Sequence, residues 1–559
     1  MGVFDWLLVV GLNGVIVLYG LRLARGTKDT SDWFLAAKGL PWWMVGLSLF
    51  ATAVDSGDYV AVIGGAYQYG ISNISTWWLG LPLGWFIVSY VVILPIYRSG
   101  MFTNAEYLEY RFGPATRCLS AFIQLQSRTN VLGNIAFSLF LTFSVVTGWG
   151  DETWILVVLI ALAAAHYTAK GGLKAVAVTD SLQSVVMLAA AAVLWVTIWR
   201  EVGGWSGLET RLAEHDPEKV SELLHVGGRT TEGVSPILLL VGWVITLMSY
   251  CIVNQSQAMR MLAARSEWDL KMAALVASVI TVVVMGFNIS LGVLGRGIDP
   301  DMAHPDRLYP ELVRDYLGPG LIGVVVAGIL AGGLSTYDSI GSALSSVFTR
   351  DVYARFIRRR ADDAHYLLVS RWMTYGVILL SFAYVPFLKN GMVGFYLRLT
   401  SVAVVPLATV YVVGVLTRVH RSSGAIGLAA GIVFGVSSFL GAELGWDLPE
   451  LWTDKWWAYV WGPVVTAGTM FGVSLVRGFE SHEALAGLLY RQSSADFHVA
   501  VSGDAETDSD DTWLEATRRR SARQSSARQE TAVPFWQQPL LWSLLFLAIV
   551  AWVNLVVLW

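Results

Sequence analysis

Apolar residues run through this chain in blocks of about twenty, separated by short polar connections, and this spacing sets the first expectation. Crossing a bilayer takes about 20 predominantly apolar residues in a helix. Such stretches lie near residues 3–22, 41–65, 75–97, 118–147, 153–170, 176–199, 236–262, 272–295, 318–347, 367–388, 395–416, 423–441, 457–476 and 538–558. The pattern predicts an all-α membrane protein of about fourteen transmembrane helices. Residues 1–476 form the bundle, 477–537 a cytoplasmic linker and 538–559 a final spanning helix. Within the linker, 503–528 is polar, Ser-rich and blocky, with Asp508, Asp510 and Asp511 followed by Arg518, Arg519 and Arg520. Such a piece buries too little apolar surface to fold alone, so the linker is expected to be partly disordered.

Composition agrees. Of 559 residues, 55% are apolar and only 14% charged, against about 25% charged in soluble domains. The 25 Trp suit membrane–water boundaries. A net charge of −4 argues against a nucleic-acid partner, and two cysteines, Cys118 and Cys251, build neither a disulfide framework nor a cysteine metal site. The first apolar stretch has Asp5 near its start and its cations after it, the reverse of a signal peptide, so it reads as a retained helix. Lys and Arg concentrate in alternate loops: Arg22, Arg25, Lys28 and Lys38; Arg98, Arg111 and Arg117; Lys170 and Lys174; Arg260, Arg265 and Lys271; then Arg350 to Arg360. Positive loops stay in the cytoplasm. Both termini are therefore expected outside the plasma (cell inner) membrane.

Polar groups at membrane depth are costly and mark function. Two carboxylates, Asp55 and Asp58, interrupt the second apolar stretch in Ala51-Thr-Ala-Val-Asp55-Ser56-Gly57-Asp58-Tyr59. Helices broken at midplane expose carbonyls and helix ends that hold ions and solutes; the plain alternative is a packed kink with Asp55 as a cap. In the ninth stretch, Ser335, Asp338, Ser339 and Ser342 fall on one helical face. A hydroxyl face with one carboxylate suits a hard cation, although small hydroxyl residues also join helices. Asp180 opens the sixth stretch, where a capping carboxylate is ordinary. Arg128 and Arg398 are lone cations that either snorkel to an interface or face a central cavity. HExxH and GxSxG patterns are absent, so the chain does not read as an enzyme. About sixty residues between the last two stretches leave no room for a signalling kinase, which weighs against a sensor. A channel is the harder competitor, but a broken helix beside a hydroxyl face favours a carrier.

Six short motifs, in order over residues 30 to 440, resemble the sodium:solute symporter family. Asp32-Trp-Phe-Leu-Ala-Ala-Lys-Gly-Leu-Pro-Trp-Trp43 is similar to "FLAGRxLPWW", Gly46–Thr52 to the helix after it, and Tyr107–Gly113 to "LxxRFG". Gly171–Val176 with Thr179-Asp180 resembles "GGLxAVxxTDxxQ". Asn254-Gln255, Arg260 and Leu262–Ser266 resemble "NQxxxQRxLAAKS", with Met259 in place of Gln. Leu334–Thr336 and Val347–Tyr353 resemble the ninth helix and its "FTxDxY" exit. The resemblance implies a LeuT-like core of two inverted five-helix repeats, about 41–199 and 236–416. It implies Na+ as coupling ion, held by carbonyls of Ala51, Val54 and Gly332 and hydroxyls of Ser335 and Thr336. A second cation site would fall on Asp180, Ser335, Asp338 and Ser339, with Asp338 standing where a hydroxyl is expected. Tyr250 falls on a gating tyrosine, and Asp58 and Arg398 on positions that meet solute. The positions that hold sugar in sugar carriers fall on Leu79, Pro82, Leu247 and Val284, none of them polar enough for a hexose. Together with Asp55, Asp58, Arg128 and Arg398, this favours an amino acid or other zwitterion. A monocarboxylate, suggested by the Gly57-Asp58-Tyr59 run, or a sugar is the alternative. Oligomeric state is left open.

Overall fold

The computed structural model describes residues 1–24, 30–215, 217, 219–227, 235–388, 392, 396, 397, 400–490, 492, 518 and 534–559. Among them the chain is helical throughout, apart from turns and one isolated bridge between Leu40 and Ala264. Eleven described helices are long and apolar enough to cross a membrane, and Trp42–Ala53 and Thr400–Leu416 are shorter apolar helices. The chain is an integral, multi-pass membrane protein.

Helix α1 (Val3–Ala24) leads into a broken pair, α2 (Trp42–Ala53) and α3 (Ser56–Tyr69). Then come α4 (Thr76–Arg98), α5 (Asn104–Phe112), α6 (Pro114–Thr147) and α7 (Thr153–Val202), the last kinked at Gly172. The span Thr153–Val202 is two helices that meet at a kink, in keeping with the fifth and sixth apolar stretches. Their junction is Gly172, whose φ of 63° and ψ of 174° end one helix and start the next, pressed against Trp33. A side chain would be strained there and would collide with that neighbour.

A second broken pair, α8 (Pro236–Val253) and α9 (Gln255–Leu262), precedes α10 (Glu267–Arg296). After α11 (Leu308–Tyr316) come α12 (Leu321–Val347), α13 (Asp363–Leu388), α14 (Thr400–Leu416), α15 (Ser423–Glu443), α16 (Lys455–Arg477) and α17 (Pro539–Val557). The sequence pattern showed one break at an extended capping residue; among the described residues there are two of this kind, each in the first helix of an expected repeat. Helix α12 is buried from Val325 to Val347 and packs most extensively on α7. The start of the 477–537 segment is docked: Glu480 N–H donates to Arg418 O (2.9 Å), Tyr490 N–H to Val415 O (3.1 Å) and the Tyr107 hydroxyl to Leu488 O (3.1 Å). Most of 503–528, the stretch expected to be disordered, lies outside the described residues.

Candidate ion and solute site

The first break is made by side chains that cap the helix following it. Val54 and Asp55 are extended (φ −114°, ψ 114° and φ −126°, ψ −178°). The Asp55 carboxylate accepts from Gly57 N–H (2.7 Å) and Asp58 N–H (3.2 Å), and Asp58 Oδ2 accepts from Asp55 N–H (2.9 Å). This reciprocal capping box satisfies amides that would otherwise be orphaned at the start of α3. Both carboxylates, expected to bind solute, are therefore partly committed to backbone. At the second break Asn254 is extended, and its Oδ1 accepts from Ser256 N–H (3.0 Å), capping α9 in the same way.

The five residues expected to hold sodium meet where α12 crosses the first break. The Ser335 hydroxyl donates to Ala51 O (2.6 Å) and Gly332 O (3.1 Å); the Thr336 hydroxyl lies 3.4 Å from Ala51 O. Gly332 packs against the Asp55–Ser56 peptide, and Val54 is the buried residue at which α2 ends. The result is a dry cluster of carbonyl and hydroxyl oxygens across two helices, neutral in itself. Such a donor set fits a small hard monovalent cation.

The residues expected to form a second cation site are also together, but around a cation the chain itself supplies. Asp180 does not begin a helix. It lies inside α7, fully buried, with Oδ2 paired to Arg260 Nη2 (2.8 Å) and accepting from the Ser48 hydroxyl. The capping reading of Asp180 is corrected, as is the placing of Arg260 in a cytoplasmic loop. Its guanidinium is wholly buried and also donates to Ser48 Oγ (2.6 Å), Ser256 O (2.7 Å) and Ser339 Oγ. Asp338 accepts from the Tyr167 hydroxyl and from Ser339 Oγ (3.1 Å). Arg260 and Tyr167 were missed as site residues. Arg260 was legible as a basic residue only four positions past Ser256, within an otherwise uncharged run; Tyr167 carried no signal.

A cavity of about 100 Å³ lies over the break, lined by both carboxylates, Asn73, Thr76, Asn134 and Thr246, and by Trp77, Tyr250 and Tyr396. Tyr250 forms its floor. Beneath it Arg128, 7% exposed, lies over the Tyr250 ring (4.3 Å to the centroid), and no hydrogen bond reaches its guanidinium among the described residues. Arg128 therefore faces a smaller chamber behind Tyr250 rather than the cavity itself. Arg398 lies outside the described residues. Of the positions aligned with sugar contacts, Leu247 lines the cavity, while Leu79, Pro82 and Val284 are not among its walls. The amide and hydroxyl residues that do line it sit elsewhere: Thr76 and Thr246 at other positions of α4 and α8, Asn134 on α6, and Asn73 in the turn before α4.

A lid closes over α3. Pro305 and Asp306 approach so near that only a residue without a side chain fits at Gly64. The Tyr67 hydroxyl donates to Asp299 O (2.7 Å) and accepts from Met302 N–H (3.0 Å), and Asp306 Oδ2 accepts from Met392 N–H (3.3 Å) above the cavity. Burial pushes the Asp306 carboxyl up to about 6, against the lowering effect of the Met392 hydrogen bond.

The model of the Sodium:solute symporter family matches residues 33–433. Among curated proteins, the mouse sodium/myo-inositol cotransporter 2 is 29% identical over 495 residues, covering 80% of this chain and 71% of its own. The human sodium/glucose cotransporter 4 is 27% identical, covering 74% and 65%, and a bovine sodium/mannose cotransporter 28%, covering 77% and 79%. Among solved structures, the substrate-bound outward-open state of a Na+-coupled sialic acid symporter superimposes with a TM-score of 0.70 at 20% identity, over 85% of this chain and 98% of that one. A nucleobase-cation-symport-1 transporter, Mhp1, follows at 0.50 and 13%, over 82% and 97%. These likenesses establish the LeuT-type fold.

Proposed function

The chain belongs to the sodium:solute symporter family, and on that premise we propose that it imports a sugar or polyol together with Na+ by alternating access. It is a carrier and not an enzyme, as are its relatives, and Na+ is its coupling ion.

Sodium enters from the outer side and binds the carbonyls of Ala51, Val54 and Gly332 and the hydroxyls of Ser335 and Thr336. Mostly neutral oxygens hold a monovalent ion firmly enough to use and loosely enough to release. The ion ties α2 to α12 and so fixes the outward-facing arrangement, which favours solute in the cavity above Tyr250. The core then rocks, and sodium leaves towards the low-sodium cytoplasm. A membrane potential contributes roughly 2.3 kcal/mol per charge per 100 mV. The second cluster of Asp180, Asp338 and Ser339 takes part in cation binding with Arg260 as its resident charge. Termini outside and residues 477–537 as a cytoplasmic linker complete the arrangement.

The observation that carries the sodium site is the Ser335 hydroxyl set 2.6 Å from Ala51 O at a helix break. For the solute, relatives that carry inositol, glucose and mannose, and a cavity with Asn73, Asn134, Thr76 and Thr246 in its walls, support a polyhydroxyl compound. The mutual capping of Asp55 and Asp58 weakens the case for a zwitterion. That second reading keeps one support, the unpaired Arg128 behind Tyr250. Uptake of a labelled panel (myo-inositol, glucose, mannose, proline, acetate) into proteoliposomes, with and without a sodium gradient, tests both. Sodium-driven accumulation of a polyol is expected. Accumulation of proline alone overturns the solute assignment, and uptake indifferent to sodium overturns the coupling.

A further inference from the structure

A second, larger chamber lies on the other side of the cavity wall, and nothing in the transport cycle uses it. It measures about 450 Å³ and is bounded by α4, α7, α10 and the last helix, with Trp78, Trp195, Trp199, Val283, Phe287 and Val553 among its walls. Such a volume lies within the roughly 300–1,000 Å³ of ordinary ligand pockets. The walls are mostly apolar, and two of their four indole N–H groups and the Ser290 hydroxyl are already paired. Trp78 Nε1 donates to Val282 O (3.0 Å) and Trp195 Nε1 to Ser290 Oγ (2.8 Å), while the Ser290 hydroxyl donates to Gly286 O (2.7 Å) and Phe287 O (2.9 Å).

This chemistry eliminates most occupants. An ordered water needs roughly two to four polar partners, more than the indole N–H groups of Trp199 and Trp205 supply in walls otherwise apolar. A polar solute would lose its hydrogen bonds without replacement. Leaving the space empty would forfeit dispersion contacts along the faces of several aromatic rings. The space also opens sideways, at Val283, which is 45% exposed on the spanning helix α10. Trp199, at the end of α7, is in edge-to-face contact (5.8 Å) with Trp205 just beyond it, and indoles at such a helix end favour the lipid interface. Nor is the last helix loosely attached, since Leu558 O accepts from Val226 N–H (2.6 Å) and Asn554 Oδ1 from the Ser75 hydroxyl (3.1 Å).

We propose that this chamber is a binding site for one acyl chain of a membrane phospholipid. Its position gives the chain a consequence. Trp77 lines the solute cavity and Trp78 the chamber, neighbours in the widened turn Thr76–Gly80. The lipid chain therefore braces the wall behind the solute.

The test uses the full chain in bilayers containing phosphatidylcholine with a diazirine at the end of one acyl chain. After photolysis, adducts are mapped by mass spectrometry. Labelling is expected to concentrate on peptides holding Trp78, Phe287 and Val553 over the open, lipid-facing surface at Ile155, which is 67% exposed. Val283→Trp, which fills the chamber from its open side, should abolish that labelling and spare Ile155; Leu558→Trp serves should the first variant not assemble. Labelling no stronger than at Ile155, or unmoved in the assembled filled variant, overturns the proposal. Displacement by a sterol but not by unlabelled phospholipid overturns the choice of occupant.

Discussion

Removing the Ser335 hydroxyl is the sharpest probe of the ion site. Ser335 is wholly buried, and its oxygen is the nearest side-chain partner of Ala51 O, at 2.6 Å against 3.4 Å for Thr336. With sodium present the same hydroxyl turns a lone pair to the ion, so Ser335→Ala deletes one of five proposed ligands without leaving room for a new one. A contact to a charged group is worth about 1.5–3 kcal/mol, which converts to a roughly 10- to 150-fold higher half-saturating sodium concentration. Thr336→Ala should fall near the lower end, and Thr336→Ser, which keeps the oxygen, should be close to neutral. Neither residue lines the cavity, so solute affinity at saturating sodium should hold. The assay is initial uptake rate against sodium, with choline as replacement, in proteoliposomes. An unchanged sodium dependence in the folded Ser335→Ala/Thr336→Ala double variant would falsify the site.

Other expectations follow from single contacts. Arg260→Met leaves Asp180 buried without its cation and should cost about 3–5 kcal/mol of stability, read as a lower unfolding temperature; adding Asp180→Leu should recover part of the loss, and an additive double variant refutes the pairing. For Asp306 the sign is set by its raised value: the latched lid holds the proton more tightly than the open one. The latch is therefore strongest below the ordinary carboxylate range and weakens as pH rises through about 6. Asp306→Asn should remove that inflection from the pH profile of uptake, and a profile identical to the parent's counts against it. Tyr67→Phe loses two hydrogen bonds, at about 1 kcal/mol each, and should speed modification of a cysteine placed in the cavity; unchanged kinetics refute the latch.

Much of this architecture was legible in the chain because bilayer length and apolar runs are tightly linked. The break at Asp55 was visible since carboxylates are expensive inside a membrane. The break at Asn254 was not, because one neutral amide hardly interrupts the surrounding run, and it caps a helix as well as an aspartate does. Asp180 looked like a cap because the Gly171-Gly172 pair suggested a helix end. The end is there, at Gly172, but the next helix starts directly after it, which leaves Asp180 well inside that helix and facing Arg260. The ninth stretch was read correctly as a single polar face because helical periodicity fixes it. Which partners that face meets depends on packing between segments far apart in sequence, and no local pattern carries that. The polar walls of the cavity were missed for the same reason.

The pairing of Arg260 with Asp180 also has an electrical meaning. The two charges are 2.8 Å apart, so whatever path they take, they move as a dipole and feel little of the membrane field. The carboxylates of α3 and the unpaired guanidinium of α6 are different, for they sit on separate helices with an aromatic ring between them. Displacing one helix along the membrane normal against the other performs work on the field, at up to about 2.3 kcal/mol per charge per 100 mV for a full crossing. The empty carrier should thus show brief capacitive currents when the voltage is stepped, before any solute has crossed.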